Sequence, residues 1–269
     1  MRTSEDPMSA IRQELEEERA RAPASEAREA VIALDTVSLA FEQPILRDVS
    51  LQAYKGETLM VAGESGSGKS TILKLILRLL VPDTGRIEVL GRDVIHLTFA
   101  EALDLRRHIG MVFQNAALFD SLTIFENVAY PLRENRDHDE AELERIVRER
   151  LDFVDLDPDR VMHQLPSQLS GGMRKRVGIA RAIATDPEVV LYDEPTAGLD
   201  PLTVGTINEL IRKLQRELHV TSIIVTHDIR AGFRVAQRVD LLREGEIVFD
   251  GTPEEMVAAN DRYIQAFLS

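Results

Sequence analysis

The segment Gly63–Ser70 constrains the fold of this chain more than any other, since it lies between a predicted strand and a predicted helix. The apolar pattern predicts the strand over Thr58–Ala62 and the helix over Lys69–Leu80. Glycines let the backbone bend tightly around a phosphate chain, where a Cβ would clash. The loop amides and the N-terminal end of the helix then provide a positive environment for phosphates. This arrangement is a P-loop, and it predicts an α/β domain that binds a nucleoside triphosphate.

The P-loop side chains have distinct expected roles. Lys69 brings a positive charge to the β- and γ-phosphates, and the hydroxyl of Ser70 is a ligand for Mg²⁺. The backbone of the other positions surrounds the phosphates. The expected nucleotide-binding residues of this segment are Gly63, Glu64, Ser65, Gly66, Ser67, Gly68, Lys69, Ser70 and Thr71.

Two acidic residues follow a second apolar strand. Asp193 and Glu194 come directly after Val189–Tyr192, and open α/β sheets bind their ligands at the carboxyl ends of strands. We expect Asp193 to hold Mg²⁺ through water and Glu194 to polarise the attacking water as a general base. The alternative is a surface Asp-Glu pair, which the apolar residues before it and Pro195 after it disfavour.

Gln114 and His227 occupy similar positions after other strands. Gln114 follows Ile109–Phe113, from where we expect it to reach Mg²⁺ or the water, and His227 follows Thr221–Thr226. Neither residue means much alone, but a sheet edge shared with two phosphate motifs favours a catalytic role. The expected catalytic residues are Glu194, His227 and Gln114, and the expected metal ligands are Ser70, Gln114 and Asp193.

A second anion site is predicted at Ser170, Gly171 and Gly172, which open a helix that runs to about Thr185. Their backbone amides and the serine hydroxyl are suited to an anion. The P-loop already binds the phosphates of one nucleotide, so a second site facing the same nucleotide is redundant. The second anion site is explained if it contacts a nucleotide that is bound to another subunit. The sequence therefore predicts a nucleotide held between two copies of the chain.

Composition excludes several classes of protein. The formal net charge is −14 and no basic stripe stands against it, which disfavours a nucleic-acid binder. The chain has no cysteine, so disulfides and thiolate metal sites are excluded. The apolar stretch Ile72–Val81 is interrupted by Lys74 and Arg78 and is shorter than a membrane span of about 20 residues. The N-terminus lacks the apolar core of a signal peptide, so a membrane function requires another polypeptide to supply the span.

The chain divides into a polar extension, residues 1–30, and a domain that covers residues 31–269. A helix over Ser9–Ala22 has two apolar residues to bury, so we expect this extension to be frayed, disordered or docked on a partner. Strands alternate with helices in the remainder, which indicates a mostly parallel sheet. The early strands Val31–Phe41 and Ile45–Tyr54 and a helical block at 123–175 are expected as insertions. Helices are also predicted at Thr123–Tyr130, Asp139–Val154 and Leu202–Leu218 and from Pro253 onwards, and short strands at Val239–Leu242 and Glu246–Phe249. The helix over Asp139–Val154 carries an apolar stripe of Leu143, Ile146, Val147, Leu151 and Val154.

The order and spacing of these motifs resemble the ATP-binding-cassette (ABC) ATPases from about residue 31 to the C-terminus. The motifs that carry the resemblance are the P-loop, Gln114, Leu169–Met173, Asp193 with Glu194, Ala197–Asp200 and His227. The resemblance implies a P-loop NTPase fold with a mostly parallel core sheet, an antiparallel β subdomain and a helical subdomain at about 115–175. It implies ATP and Mg²⁺ as cofactors. By the same resemblance Phe41 stacks on adenine, Ser170–Gly172 contacts ATP in the opposite subunit, and Asp200 lies in a loop that links the two sites.

Within that family the chain is similar to the ATPases of Mla/Mce-type lipid transporters. Three segments carry this likeness: Ala117–Glu134, Leu165–Met173 with methionine where most ABC proteins have glutamine, and Gln265–Leu268. The polar N-terminal extension is unusual for the group. The chain also ends soon after Leu268, which puts in doubt the clamping between subunits by the longer tail of some members.

The resemblance implies a second copy of the chain and an integral membrane permease as partners, together with a substrate-binding or lipid-binding subunit. It places the protein peripherally on the cytoplasmic face of the inner membrane. Three alternatives to a lipid transporter remain: an importer ATPase for a small polar solute, a soluble ABC protein acting on DNA or ribosomes, and a P-loop kinase. The acidic composition and single cassette disfavour the soluble protein, and a kinase leaves Ser170–Met173 unexplained.

The segment Ala117–Phe125 directly follows Gln114 and carries four large apolar side chains, Leu118, Phe119, Leu122 and Phe125. We expect two or three of them to pack inside the helical subdomain. We expect Phe119 or Leu122 to line a groove that receives a short helix of the permease, since amphipathic helices commonly bind in apolar grooves.

Overall fold

The computed structural model describes residues 28–135 and 139–268, and the predictions for residues 1–27 lie outside this part of the chain. Its strands are β1 (Ala30–Ala40), β2 (Pro44–Tyr54), β3 (Thr58–Ala62), β4 (Thr84–Val89), β5 (Arg92–Asp93), β6 (Ile109–Val112), β7 (Val189–Asp193), β8 (Thr221–Thr226), β9 (Arg238–Arg243) and β10 (Glu246–Gly251). Its α-helices are α1 (Lys69–Ile76), α2 (Phe99–Arg107), α3 (Ile124–Asn135), α4 (Glu140–Phe153), α5 (Pro158–Val161), α6 (Gly171–Ala182), α7 (Pro201–Leu218), α8 (Ile229–Phe233), α9 (Pro253–Ala258) and α10 (Arg262–Leu268).

A six-stranded core sheet, in the order β10-β9-β3-β8-β7-β6, carries the candidate site. Its neighbouring strands are parallel except for β10, which pairs antiparallel with β9. Strands β3 and β8 are buried along their whole length, as is typical of parallel strands covered on both faces. Because β3, β8 and β7 are adjacent and parallel, the segments that follow them meet at one edge of the sheet.

A second sheet, in the order β2-β1-β4-β5, is antiparallel. Its buried side chains, such as Val37 of β1, join Ile72 of α1 and Val61 of β3 in one apolar cluster. The second sheet therefore packs with α1 on one face of the core sheet. This is the antiparallel part that the sequence predicted.

Helices α3 to α6 lie between β6 and β7 in the chain and form a second apolar cluster with the other face of the core sheet. The predicted apolar stripe of α4 is observed, since Leu143, Val147 and Leu151 are all buried in this cluster. The predicted architecture is thus present: a mostly parallel core sheet with an antiparallel sheet and a group of helices.

Several predicted helix ends differ from the observed ones, and α6, for example, ends at Ala182 rather than at about Thr185. Helix α1 ends at Ile76 rather than Leu80, because Arg78 adopts a left-handed conformation (φ +50°) and the amide of Leu79 donates to the carbonyl of Lys74. This is a C-terminal capping arrangement that usually contains glycine, so no residue type in the segment indicated it. Helix α3 continues past Pro131 to Asn135, although proline usually ends a helix.

Two further differences concern whole helices. Helix α2 was not predicted, although Thr98 and Glu101 form a capping box at its start, which is a recognisable signal. The closing helix predicted from Pro253 is instead two helices, because the chain becomes extended at Ala259 and restarts where the Asp261 carboxylate accepts from the amides of α10.

Within the described residues, no helix is both long enough and apolar enough to cross a lipid bilayer.

Candidate functional site

A cleft of about 710 Å³ lies at the edge of the core sheet where β3, β7 and β8 end. It brings together the P-loop and the four residues that the sequence analysis placed after other strands. Its lining residues are Ile45, Glu64, Ser65, Gly66, Gly68, Lys69, Ser70, Thr71, Gln114, Asp193, Glu194, His227 and Phe267. Of these, Ile45 and Phe267 were not predicted, since neither belongs to a phosphate-binding pattern.

The P-loop glycines are required by close approach and by backbone conformation. A Cβ on Gly63 would meet the carbonyl oxygen of Leu242. On Gly68, which has φ +109°, it would lie 2.7 Å from a methyl carbon of Leu46. Gly66 has open space around it, but its φ of +83° is one that other residues rarely adopt. The loop is therefore specified by three glycines for two different physical reasons.

Lys69 is held inside the loop. Its ammonium group donates to the carbonyl oxygens of Gly63 at 2.7 Å and Glu64 at 2.8 Å, and the residue is only 6% exposed. Burial lowers its pKa, while the carboxylates of Glu194 and Asp193 act in the opposite direction. The charge is thus desolvated but surrounded by oxygen atoms, and phosphate oxygens are suitable replacements for the two carbonyls.

Ser70 and Asp193 meet across the cleft, since the Ser70 hydroxyl donates to Oδ1 of Asp193 at 2.9 Å. A hydroxyl and a carboxylate from different elements thus converge next to the phosphate loop, and the cleft is also lined by Gln114. These hard oxygen donors fit Mg²⁺, which prefers carboxylate, hydroxyl and water ligands beside substrate phosphates.

Glu194 has an unusual backbone and an ordered carboxylate. Its φ is +47°, and its amide donates to the carbonyl of Val225 on the neighbouring strand. One carboxylate oxygen accepts from the hydroxyl of Thr226 at 2.9 Å. The other accepts from the backbone amide of His227 at 3.1 Å and lies 2.8 Å from its Nδ1. Because a carboxylate only accepts, Nδ1 of His227 carries the proton in this pair and the Nε2 atom is left for another partner.

Thr226 and Lys175 belong to the site although the sequence analysis did not identify them. Lys175, on α6, is buried and donates to the carbonyl oxygen of Gln114 and, at 3.3 Å, to that of Glu194. Burial lowers its pKa, and the charge of Glu194 partly opposes this. A cation on the buried face of α6 was a readable signal for Lys175. A threonine ending a strand is common, so nothing distinguished Thr226.

The segment Ser170–Gly172 begins α6 as predicted, but it does not line the cleft. Ser170 is exposed and accepts from the amide of Met173 as the helix cap. A Cβ on Gly172 would lie 2.6 Å from Cγ2 of Thr203, so this end of α6 packs closely on the start of α7. Asp200 caps α7 through the amides of Leu202 and Thr203. These contacts lower the pKa of Asp200, chiefly through the hydroxyl of Thr203.

Phe41 lies in the bend between β1 and β2 and is 66% exposed. It is not among the side chains that line the cleft, although Ile45 from the start of β2 is. The structure therefore gives Phe41 no contact that assigns it to a base.

A phosphate loop, a hydroxyl-carboxylate pair suited to Mg²⁺ and an oriented carboxylate define the site of a nucleoside triphosphate hydrolase. The model of the ABC transporter family matches residues 46–197, which is more than half of the chain. The protein belongs to the ABC transporter family, and it is the ATP-binding component of a transporter.

Curated relatives match most of the chain. It is 37% identical over 227 residues to the intermembrane phospholipid transport system ATP-binding protein MlaF of Haemophilus influenzae, covering 84% of this chain and 85% of the relative. It is 44% identical over 213 residues to the methionine import ATP-binding protein MetN 1 of Rhodopseudomonas palustris, covering 79% of this chain and 56% of the relative. A probable ribonucleotide transport ATP-binding protein mkl of Mycobacterium tuberculosis is 37% identical over 84% of this chain and 62% of its own length.

Solved structures confirm the fold. A dimeric post-hydrolysis structure of the ATP-binding cassette MJ0796 with ADP and Pi has a TM-score of 0.76 at 34% identity, covering 82% of this chain and 98% of that one. CbiO1 of Clostridium perfringens, part of the cbiONQ transporter complex, has a TM-score of 0.79 at 29% identity, covering 89% and 95%. The predicted fold class and the resemblance to phospholipid-transport ATPases are confirmed, and the protein is an ATPase.

Proposed function

We propose that this protein is the ATPase subunit of a transporter that moves phospholipid or a related lipid. The observation that carries the proposal is the similarity to the phospholipid transport ATPase MlaF, which extends over 84% of this chain and 85% of that protein. The three segments named in the sequence analysis, which include Met173 where most ABC proteins have glutamine, support it. The protein works peripherally at the cytoplasmic face of the inner membrane, with a permease and a lipid-binding or substrate-binding subunit as partners.

The geometry supports a specific division of labour in ATP hydrolysis. The P-loop amides and Lys69 bind the phosphates, with Lys69 exchanging its two carbonyl partners for phosphate oxygens. Ser70, Asp193 and Gln114 would hold Mg²⁺, and the bound ion would supply neutralising charge at the phosphates. The Glu194 carboxylate takes the proton of the attacking water, and Thr226 and His227 keep it oriented.

The active form is a homodimer with ATP between the copies. The anion site at Ser170 is exposed and lies outside the cleft of its own chain, so it is available to the nucleotide of a second copy. Leu202 follows Asp200 at the start of α7 and is an exposed large apolar side chain. An interface between copies would cover it. The dimeric MJ0796 cassettes show that relatives of this fold form dimers.

The permease binds in a groove of about 290 Å³ whose lining includes Phe113, Phe119 and Tyr130. Each of these three aromatic residues is 42% exposed, and the rings of Phe119 and Tyr130 lie 4.8 Å apart. Of the four side chains considered from the sequence, Leu118 and Phe125 pack on the helical cluster. Phe119 lines the groove, whereas Leu122 is half-buried outside it.

Import of a small polar solute such as methionine is the second candidate function. It is favoured by the 44% identity to the methionine import ATPase MetN 1, which is higher than the identity to MlaF but covers less of this chain. The ATPase site is the same in both cases, so the two functions differ in the permease and its substrate.

The deciding experiment isolates the native complex through a tag on this chain and identifies bound small molecules by mass spectrometry. The complex is then reconstituted in vesicles that contain a fluorescent phospholipid, and a matched sample contains labelled methionine. We expect ATP-dependent phospholipid movement that is lost in the Glu194→Gln complex. ATP-driven methionine uptake without phospholipid movement would contradict the lipid proposal and support the importer.

A further inference from the structure

A groove of about 610 Å³ follows helix α7 and shares no lining residue with the nucleotide cleft. Most of its charged lining residues come from α7 at spacings of three and four, which places them on one face of that helix. Helix α8 contributes one more cation next to its end. The residues that matter for the groove are Thr206, Glu209, Arg212, Lys213, Arg216 and Arg234.

The acids of the groove are largely engaged by two of its cations. Glu209 lies 3.9 Å from the guanidinium of Arg212, and Asp155 lies 3.9 Å from the ammonium of Lys213. Among the described residues, Glu217 is the one other acid in the lining. The remaining cations of this surface therefore exceed the acids that the groove itself supplies.

Those remaining cations are exposed arginines. Arg216 and Arg234 form no salt bridge within the part of the chain that the structure describes, and neither does Arg230, one helical turn before Arg234. By contrast, Arg133 on α3 lies 2.7 Å from the carboxylate of Glu140. The chain has a formal net charge of −14, so a cluster of arginines without acidic partners is a local exception to its charge. Such a surface fits an acidic peptide segment.

The described chain begins beside the C-terminal end of α7. The carbonyl oxygen of Glu29 accepts from the amide of Lys55 at 2.9 Å, and the carbonyl oxygen of Gly56 accepts from the side chain of Gln215 at 2.8 Å. Gln215 directly precedes Arg216 in α7. Residues 1–27 therefore join the domain next to the cationic end of the groove.

The sequence of this N-terminal segment supplies the complementary charge. Glu14, Glu16, Glu17 and Glu18 make up four of the five residues at 14–18. The chain from Glu18 to Glu29 can span up to about 36 Å when extended. Helix α7 is about 27 Å long, since it has 18 residues. The acidic residues are thus able to reach any part of the groove.

We propose that the acidic block Glu14–Glu18 binds the α7 groove of its own chain, with its carboxylates facing Arg216 and Arg234. Because the block is joined covalently to the domain, weak surface ion pairs suffice to hold it there. Helix α7 starts directly after Asp200, and α8 starts two residues after His227. The bound block therefore lies on the two helices that follow these predicted site residues.

Energy transfer between two fluorophores tests the contact in the full chain. The chain has no cysteine of its own, so Gln13→Cys beside the acidic block and Thr206→Cys in the groove are two unique labelling positions. We expect efficient transfer at an ionic strength of about 0.01 M. Transfer should fall at about 1 M salt, because the Debye length shortens from about 30 Å to about 3 Å.

Charge reversal in the groove supplies the second readout. Loss of one exposed ion pair lowers the ratio of bound to free block by about 1.4-fold to fivefold. Arg216→Glu combined with Arg234→Glu should therefore lower this ratio by at least about twofold to 25-fold at low salt. Adding Glu17→Arg and Glu18→Arg to that protein should restore energy transfer, because the exchanged charges attract again.

Lys74→Glu combined with Arg262→Glu is the matched control, since both residues are exposed and lie outside the groove. The control makes the same change in net charge and should keep efficient transfer. An equal loss of transfer in the control would show that overall charge, and not the groove, governs the position of the block, which would overturn the inference.

Three further results would also overturn it. Transfer that is unchanged by charge reversal in the groove would show that the block binds elsewhere. Failure of the exchanged charges to restore transfer would show that the arginines do not contact the block. Loss of transfer when the labelled protein is mixed with excess unlabelled protein would place the block in the groove of a second copy.

Discussion

Lys69 and Glu194 lie in the same cleft, but their contacts prepare them for different tasks. Lys69 is enclosed by two carbonyl oxygens, so its charge is already desolvated before a phosphate arrives. Glu194 is held at both carboxylate oxygens by Thr226, the last residue of β8, and by His227, which follows it. The first arrangement favours binding of an anion, and the second orients a base.

Lys69→Ala and Glu194→Gln should therefore have different kinetic effects. Lys69→Ala should weaken ATP binding, because the phosphates lose their charged partner. Glu194→Gln should keep binding but slow hydrolysis by roughly 10²–10⁴-fold, the range for loss of a general base. It should also accumulate as an ATP-bound dimer. Equilibrium binding of a fluorescent ATP and steady-state phosphate release measure both effects, and a wild-type rate for Glu194→Gln would refute the assignment of the base.

A buried acid that does not line the cleft should govern how stability depends on pH. Asp240 of β9 is 1% exposed and pairs across the sheet with Asp250, while Arg238 lies 3.9 Å away. Burial, and after it the charge of Asp250, raises its pKa to about 8. The folded protein thus retains a proton on Asp240 that the unfolded chain releases near pH 4.

The direction in which stability changes with pH follows from this difference in proton binding between the folded and unfolded chain. The stabilising contribution of protonated Asp240 is complete below about pH 4 and is lost as the pH rises towards 8, by at most about 1.4 kcal/mol per pH unit. Asp240→Asn should flatten the dependence of the unfolding free energy on pH between these values. Urea titrations at several pH values measure it, with Asp250→Asn as a control that should move the effect to lower pH. Identical pH profiles for wild type and Asp240→Asn would contradict the shifted pKa.

Sequence reasoning found the residues of the site that belong to compact motifs. The P-loop, Asp193, Glu194, Gln114 and His227 could be placed together because each follows a recognisable strand, and parallel strands bring their carboxyl ends to one edge. Lys175 belongs to no such motif and was indicated only by a cation on the buried face of α6. Thr226 and Phe267 could not be found from the sequence. Their roles depend on which side chains of other elements face them, and that information is contained in the packing.

At the level of elements, regular periodicity predicted the strands of the core sheet and helices α4, α6 and α7. The ends of elements were less accessible. The left-handed residue that ends α1 is an arginine, and α3 continues through a proline because Leu132 beyond it is buried in the helical cluster. In both cases the tertiary packing overrides the local preference of the residue.

The start of α3 also fixes the loop that carries Phe119. Asn127 is fully buried, accepts from the amide of Phe119 at 2.8 Å and donates to the carbonyls of Phe119 and Thr123. The aromatic groove is therefore formed before any partner binds. A preformed groove costs less ordering on binding, which suits a docking site.

Phe119→Asp should detach the protein from its permease without disturbing the ATPase. The change places a charge where we expect an apolar anchor to bind, and an anchor of this kind commonly contributes about 2 kcal/mol or more. Co-purification of the permease measures docking, and nucleotide affinity and melting temperature measure the fold. Val248→Asp, on the exposed side of β10, is the matched control. Normal recovery of the permease with Phe119→Asp, at an unchanged melting temperature, would show that the contact lies elsewhere.

At the scale of the whole molecule, the two predicted phosphate-binding segments lie in different places. The P-loop and Glu194 line the cleft, whereas Ser170–Gly172, at the start of α6, is not among the residues that line it. Lys175 connects them, since this α6 residue donates to the carbonyls of Gln114 and Glu194.

Mixing two inactive variants tests whether hydrolysis requires both copies. Ser170→Arg places a bulky side chain at the anion site but leaves the cleft intact. Lys69→Ala removes the cation of the cleft but leaves the anion site at Ser170 intact. Each variant alone should be inactive, because every composite site in its homodimer carries the change. A heterodimer has one site with both changes and one with neither, so a mixture should regain partial ATPase activity, up to about half the wild-type rate per heterodimer if sites act independently.

Phosphate release is followed as the ratio of the two proteins is varied, and activity should be greatest near equal amounts. If each variant alone stays inactive at every concentration, the activity of the mixture comes from the heterodimer. Full activity of Ser170→Arg alone would show that one chain completes the site by itself.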